Sequence, residues 1–253
     1  MDVTEFLIRR LREAAAEGRP RILAGVCGRA GSGKSTLVDR LAGDISARGV
    51  PSISYSGDWR FALDSSERKK LLRQRSRGAL GDYVRSLNQF TWWDFAKIRK
   101  DLIALSSGKQ IQLDKVYDRK SGRTERSMSV GPIEKGVILY ESAILGGLDC
   151  LELLDVVILL NTPDAVCLER TLRRDSGRRS IPEIASRFLI TTHSENLFLE
   201  TLSRYQAKTV TCDDQGRLGG RLPIASVSDL PIPIDSIKAL VSGREMTVAS
   251  NAP

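Results

Sequence analysis

The chain reads as an α/β protein whose parallel sheet is covered by helices on both faces. Three observations predict this. Short, continuous apolar runs occur at 22–27 (ILAGVC), 136–140 (GVILY) and 156–160 (VVILL). Strands that are buried on both faces have this unbroken apolar character. Helix signals lie between the runs, and strands alternating with helices build a parallel sheet. The composition agrees: 253 residues, 41% hydrophobic and 28% charged, can bury a sizeable core and do not resemble a disordered chain.

The elements follow in order. Phe6, Leu7, Leu11, Ala14 and Ala15 recur at helical spacing and predict an amphipathic first helix ending near Gly18 and Pro20. After the strand at 22–27, residues 34–47 predict a helix and 52–55 a second strand. The charged run DSSERKKLLRQRSR at 64–77 predicts a solvated helix, with substrate binding as the alternative. Residues 94–105 are helical, and a short helix is expected at 148–154. Thr162 as N-cap and Pro163 at the first helical position open a further helix. Ser180, Pro182 and Glu183 give a capping-box start to another. His193 falls within it and reads as structural or surface. Beyond Thr211 the chain is rich in Gly, Pro and Ser, with one more helix expected near 235–241. This divides the chain into an N-terminal helix packed on the core (1–19), a core (20–212) with a lid at about 170–180, and a C-terminal extension (213–253).

The net charge is +8, from 39 basic and 31 acidic residues. It suits an anionic ligand. General solubility is the alternative; the nucleotide is preferred to nucleic acid because basic residues cluster where phosphates would sit and no nucleic-acid motif is present. The four cysteines are scattered, without a C-x-x-C pair or a nearby histidine, which argues against zinc and a disulfide framework. No signal-peptide core or membrane-length apolar run is seen, so a cytoplasmic, soluble protein with no membrane partner is expected.

The segment GRAGSGKST runs from Gly28 to Thr36 and contains G-x-x-x-x-G-K-[ST] at Gly28, Gly33, Lys34 and Ser35. It follows a predicted strand and opens a predicted helix, the setting a P-loop requires. Its glycines, Gly28, Gly31 and Gly33, permit a backbone that turns amide N–H groups toward phosphate oxygens. Ala30, Ser32 and Thr36 complete the cradle. Lys34 is expected to reach the β and γ phosphates of ATP, and the Ser35 hydroxyl to bind Mg²⁺. A guanine-reading N-K-x-D motif is missing. The D-x-x-G at Asp213 to Gly216 lies too late to be a switch loop and reads as a turn.

A kinase acting on a hydroxyl also needs carboxylates and cations at the cradle. Asp58 follows the second strand, where it is placed to activate an acceptor hydroxyl or hold Mg²⁺; its alternative is a turn aspartate. Glu141 ends the strand at 136–140 and is a candidate for the metal's water shell and the acceptor side, or else a helix cap. ERTLRRDSGRRS packs Arg170, Arg173, Arg174, Arg178 and Arg179 together. Arg170 and Arg174 share a helix face, and this segment is expected to close as a lid over ATP, with a solvated basic face as the alternative. Trp59, Trp92 and Trp93 supply flat walls for an acceptor, or plain core.

These segments, with FTWWD at 90–94, VYD at 116–118 and VILYE at 137–141, resemble the uridine kinase and phosphoribulokinase family of P-loop kinases over about residues 20–210. The resemblance implies a five-stranded parallel sheet of P-loop nucleoside triphosphate hydrolase type. It implies Asp58 as catalytic carboxylate, Glu141 as metal-linked, Tyr117 contacting the acceptor, and Arg170, Arg174 and Arg178 binding phosphates. Family members that act on uridine carry a histidine after the Y-D pair. Here the stretch is RKSGR, and Arg119, Lys120 and Arg123 suit an anionic or strongly polar acceptor. The expected partner is therefore a small molecule bearing a hydroxyl: a nucleoside, a sugar or a related alcohol, including an unusual or modified nucleoside. A homodimer is left open. The rival of another class is a non-enzymatic nucleotide-binding regulator.

Overall fold

A computed structural model describes residues 1–68, 70, 89–118 and 121–219. Most of the charged run at 64–77 and the helix expected near 235–241 lie outside the described residues, as do Arg119 and Lys120.

Five strands form one parallel sheet: β1 (Arg21–Gly28), β2 (Ser52–Ser56), β5 (Gly136–Glu141), β6 (Val156–Leu160) and β7 (Thr209–Cys212). Their order is β2-β5-β1-β6-β7. β1 is therefore central, paired in parallel to β5 on one side and β6 on the other. The chain leaves β1 toward both edges, and the crevice at the carboxyl end of such a strand is where ligands bind in open sheets.

The apolar runs are unbroken because both faces of β1 are covered. Ile22, Ala24 and Val26 face one core, with Leu7 of α1 (Val3–Ala16) and Leu37, Leu41 and Ile45 of α2 (Lys34–Ala47). Leu23 and Cys27 face the other. There they meet Ile98 and Leu102 of α3 (Phe95–Ser106), Leu151 of α4 (Leu148–Leu151), and Ile190 and Phe198 of α6 (Ile181–Leu202). Side chains that alternate across a strand make this division automatic. α5 (Asp164–Asp175) follows β6 directly in the chain.

Caps explain several boundaries. Asp2 and Asp94 accept hydrogen bonds from Glu5 N and Lys97 N, starting α1 and α3. Ser180 accepts from Glu183 N at 3.4 Å at the start of α6, as its capping pattern predicts. The expected cap at Thr162 differs. α5 starts one residue later, with Pro163 at the N-cap, and the Thr162 hydroxyl donates instead to the Ser32 carbonyl at 3.0 Å. That bond serves the loop after β1 rather than the helix.

A hairpin of β3 (Ile111–Tyr117) and β4 (Thr124–Val130) stands apart from the main sheet. Asp213 to Gly216 is a turn, closed by Gly216 N donating to Asp213 O at 3.0 Å. The chain then returns to the first helix through Val3 N donating to Gly216 O at 3.0 Å. No described helix is long and apolar enough to cross a membrane.

Candidate active site

The loop between β1 and α2 has the backbone that its glycines predict. Gly28, Gly31 and Gly33 have φ of +152°, +83° and +100°. A side chain at Gly31 would strike the carbonyl of Cys167 on α5, so only glycine fits there. α2 begins at Lys34, with its free N–H groups directed at the loop. Lys34 Nζ donates to the Gly28 and Arg29 carbonyls, both at 2.8 Å.

Glu141 lies across from α2, at the end of β5. Its carboxylate accepts from Ser35 Oγ at 2.9 and 3.1 Å and from Ser56 Oγ at 3.0 Å. Asp58 sits in a short 3-10 turn, Gly57–Arg60, immediately after β2. All of these groups line one cleft of about 410 Å³ together with Gly31, Gly33, Thr36, Trp92, Arg170 and Arg174. Ala30 lines it as well. Ser32 is fully buried beneath it and acts through its carbonyl, which accepts from Thr162 and, at 3.3 Å, from Arg170.

The hydroxyl of Ser35 beside the carboxylates of Glu141 and Asp58 is an all-oxygen donor set of the kind that Mg²⁺ prefers. Among the described residues no cluster of three or more His, Cys, Asp or Glu side chains could hold a metal. Mg²⁺ in phosphoryl-transfer sites takes only one or two protein carboxylates and completes its shell with phosphates and water, so the residues present fit it.

Arg170 and Arg174 do share a face of α5. Arg170 pairs with Asp214 at 2.7 Å, and Arg174 donates to Asp175 at 2.9 Å. A second cavity of about 350 Å³ adjoins the cleft and shares Ala30, Asp58, Phe61, Trp92, Arg174 and Thr191 with it. Arg178 and Tyr117 line this second cavity. Tyr117 meets Phe61 edge-on at 5.0 Å and shares a 2.8 Å hydrogen bond with Ser65. Trp59 packs edge-on against Tyr55, with centroids 5.5 Å apart, and borders a smaller space behind Asp58. Arg123 is separate: it is exposed near the start of β4 and pairs with Glu125 at 3.2 Å. His193 is buried on α6.

The family model of the Phosphoribulokinase / Uridine kinase family matches residues 23–195. The chain belongs to this family. Uridine-cytidine kinase A of Dictyostelium discoideum is 23% identical over 159 residues, covering 62% of this chain and 29% of that protein. The matched region is thus under a third of that relative's length. D-glycerate 3-kinase from Cryptococcus neoformans has the same fold, with a TM-score of 0.59 and 15% identity over 86% of this chain and 96% of that one. Phosphoribulokinase from Rhodobacter spheroides does too, with a TM-score of 0.55 and 13% identity over 83% and 74%.

Within this family fold, several site residues escape sequence reasoning. Ser56 lies in an unremarked strand end. Glu195 is buried on α6 and accepts from the N–H of Ala30 in the P-loop at 2.9 Å. Burial pushes its carboxyl up to about 7, against the pull of Lys34, Arg29 and that N–H. Arg29 binds Asp164 and donates to Asn196 Oδ1 at 2.8 Å, which ties the loop to α5 and α6 together. Glu195 and Asn196 are consecutive residues of a helix, and no spacing in the sequence marks them as facing the loop. Arg68 and Arg187 also line the second cavity.

Proposed function

We propose that this protein is an ATP-dependent kinase that transfers the γ-phosphoryl group to a hydroxyl of a small molecule. The observation that carries the reading is the convergence on one cleft of the P-loop, Asp58, Glu141 and two arginines of α5. A pure nucleotide binder needs the loop but has no use for an adjoining cavity that shares Asp58 with it.

The roles follow from position. The loop amides and the α2 N-terminus hold the phosphates, and Lys34 supplies a point charge for the transferring group. Ser35 and Glu141 would hold Mg²⁺, with Asp58 reaching it at most through water; the ion's charge would offset that of the phosphates when bound. Glu141 keeps Ser35 and Ser56 oriented. Asp58, on the wall common to both cavities, accepts the acceptor's proton as the oxygen attacks in line. Arg170 and Arg174 offset charge on the phosphoryl oxygens, and α5 with the following turn serves as the lid. Trp92 and Tyr117 wall the acceptor, and Arg178 extends the cationic lining.

The test is ADP release from Mg·ATP across a library of nucleosides, sugars and related alcohols. At least one should raise turnover well above the acceptor-free rate, and Lys34→Ala should remove at least 99% of that rate while the far-UV spectrum stays native. Acceptor-dependent turnover that survives Lys34→Ala would dismiss the assignment.

A further inference from the structure

Resting on the kinase reading, we infer that the acceptor carries an oxyanion, a phosphate ester or a carboxylate, besides its reacting hydroxyl, and that Arg68 and Arg187 hold it. The second cavity is lined by five arginines, Arg68, Arg174, Arg178, Arg179 and Arg187, against two carboxylates, Asp58 and Asp175. Asp175 is already engaged, by Arg174 at 2.9 Å and Arg179 at 2.7 Å.

Arg68 is 5% exposed. Its guanidinium lies over the rings of Phe61 at 4.2 Å and Tyr117 at 4.7 Å. It donates to the Leu63 carbonyl at 2.8 Å and to Ser65 Oγ at 3.3 Å, and pairs with no carboxylate among the described residues. A guanidinium has five N–H donors and cannot shed its charge. A buried cation that no carboxylate contacts among the described residues is costly, so this one suits an anion brought by a ligand.

Arg187 is only partly matched. Its Nε is buried with no hydrogen-bond partner and lies 3.5 Å from Glu183, a carboxylate that also faces Arg179 at 3.8 Å. Burial, with Arg179 and Arg68 adding like charge, holds its pKa below the usual arginine value. An oxyanion in the cavity relieves this repulsion and accepts from both forks.

The simpler account gives every arginine to ATP. Arg174 suits that role, since it lines the P-loop cleft too, but Arg68 and Arg187 line only the second cavity. A neutral nucleoside would leave Arg68 with no carboxylate in contact among the described residues and Arg187 with only the Glu183 that it shares with Arg179.

The experiment compares kcat/KM for matched acceptors: a neutral sugar, its phosphate ester and its aldonic acid. One anionic member should exceed the neutral parent at least about 30-fold. Arg187→Gln and Arg68→Gln should each lower that value about 30-fold or more, the loss expected when one side of a buried charge pair is removed. The neutral parent should change little, and Arg187→Lys should recover part of the loss. Which anion wins separates ester from carboxylate. In parallel, inorganic phosphate added to ADP-saturated protein, whose P-loop is filled, should raise Tm in the wild type but not in Arg187→Gln. A neutral parent that equals its charged forms overturns the inference. So does a preference that persists in both variants while they bind ADP normally. If no acceptor at all is turned over, the kinase reading fails, and the phosphate-induced shift alone decides for or against the anion site.

Discussion

Asp58 and Glu195 show how position, rather than residue type, assigns chemistry. Asp58 faces both cavities from a short turn, so its replacement tests the acceptor side directly. Asp58→Asn should lower kcat by about 10² or more with little change in ATP affinity, because a general base contributes about 10²–10⁴. Unchanged kcat in a steady-state assay would leave Asp58 a turn residue. Glu195 lies under the loop, with its carboxyl raised to about 7 from an ordinary value of 4.5. Between those values the folded state binds more protons than the unfolded one, so this group's contribution to stability falls as pH rises from about 4.5 to about 7. Glu195→Gln removes the titration but can keep the bond from Ala30. The Tm difference, wild type minus Glu195→Gln, should therefore decrease between pH 5 and pH 8 in a scanning experiment. A difference that grows over that range would contradict the raised carboxyl. The P-loop, Asp58, Glu141 and the α5 arginines were legible as residues because each sits at a chain landmark: a glycine run, a strand end, an i, i+4 pair. Glu195 and Arg187 were not, and Arg68 only within the substrate-binding alternative for the run at 64–77, since a charge on a helix looks the same in sequence whether it faces water or a cavity.

Elements position these residues through a few buried polar ties. Asp101 on α3 accepts from Arg60 at 2.7 and 3.0 Å and from the Tyr55 hydroxyl at 2.7 Å. It thereby fastens α3 to β2 and to the turn that carries Asp58. Side-chain exposures of 12% and 8% make Arg60–Asp101 a buried pair. Asp101→Ala would strand the Arg60 charge, at a cost of about 3–5 kcal/mol. Urea unfolding should report a loss of that size; a loss below about 1 kcal/mol would mean that water replaces the carboxylate. The long buried strands were readable from apolar runs alone. The β3–β4 hairpin was not, because its alternation breaks between Leu113 and Val116, where Lys115 has φ of 56° and the register shifts. β7 escaped as well, since a four-residue edge strand with two threonines carries no apolar run. Thr162 misled for a related reason: a threonine before proline can cap a helix, but here its hydroxyl donates to the Ser32 carbonyl and the helix begins after Pro163 with no side-chain cap.

At the scale of the whole molecule, the nucleotide cleft draws on distant parts of the chain. β1 and α2 supply the loop, β5 supplies Glu141, and α5 supplies Arg170, which reaches both Ser32 O and Asp214 beyond β7. A ligand that fills the cleft therefore braces the sheet centre, a peripheral helix and the turn after the last strand at once. Binding only to the folded state stabilises it by RT ln(1 + [L]/Kd), about 2.7 kcal/mol at 100 Kd. For a chain of this size, 1 kcal/mol corresponds to about 2–4 °C. Mg·ADP at 100 times its Kd should therefore raise Tm by about 5–10 °C. Asp214→Ala, which releases Arg170 from its partner without touching the loop, should shift the Kd for Mg·ADP while leaving the limiting Tm gain at 100 Kd nearly intact, because linkage depends on the ratio [L]/Kd alone. Differential scanning fluorimetry paired with isothermal titration checks both quantities. A wild-type shift below 1 °C under those conditions would mean that the cleft at the centre of the sheet is not the nucleotide site.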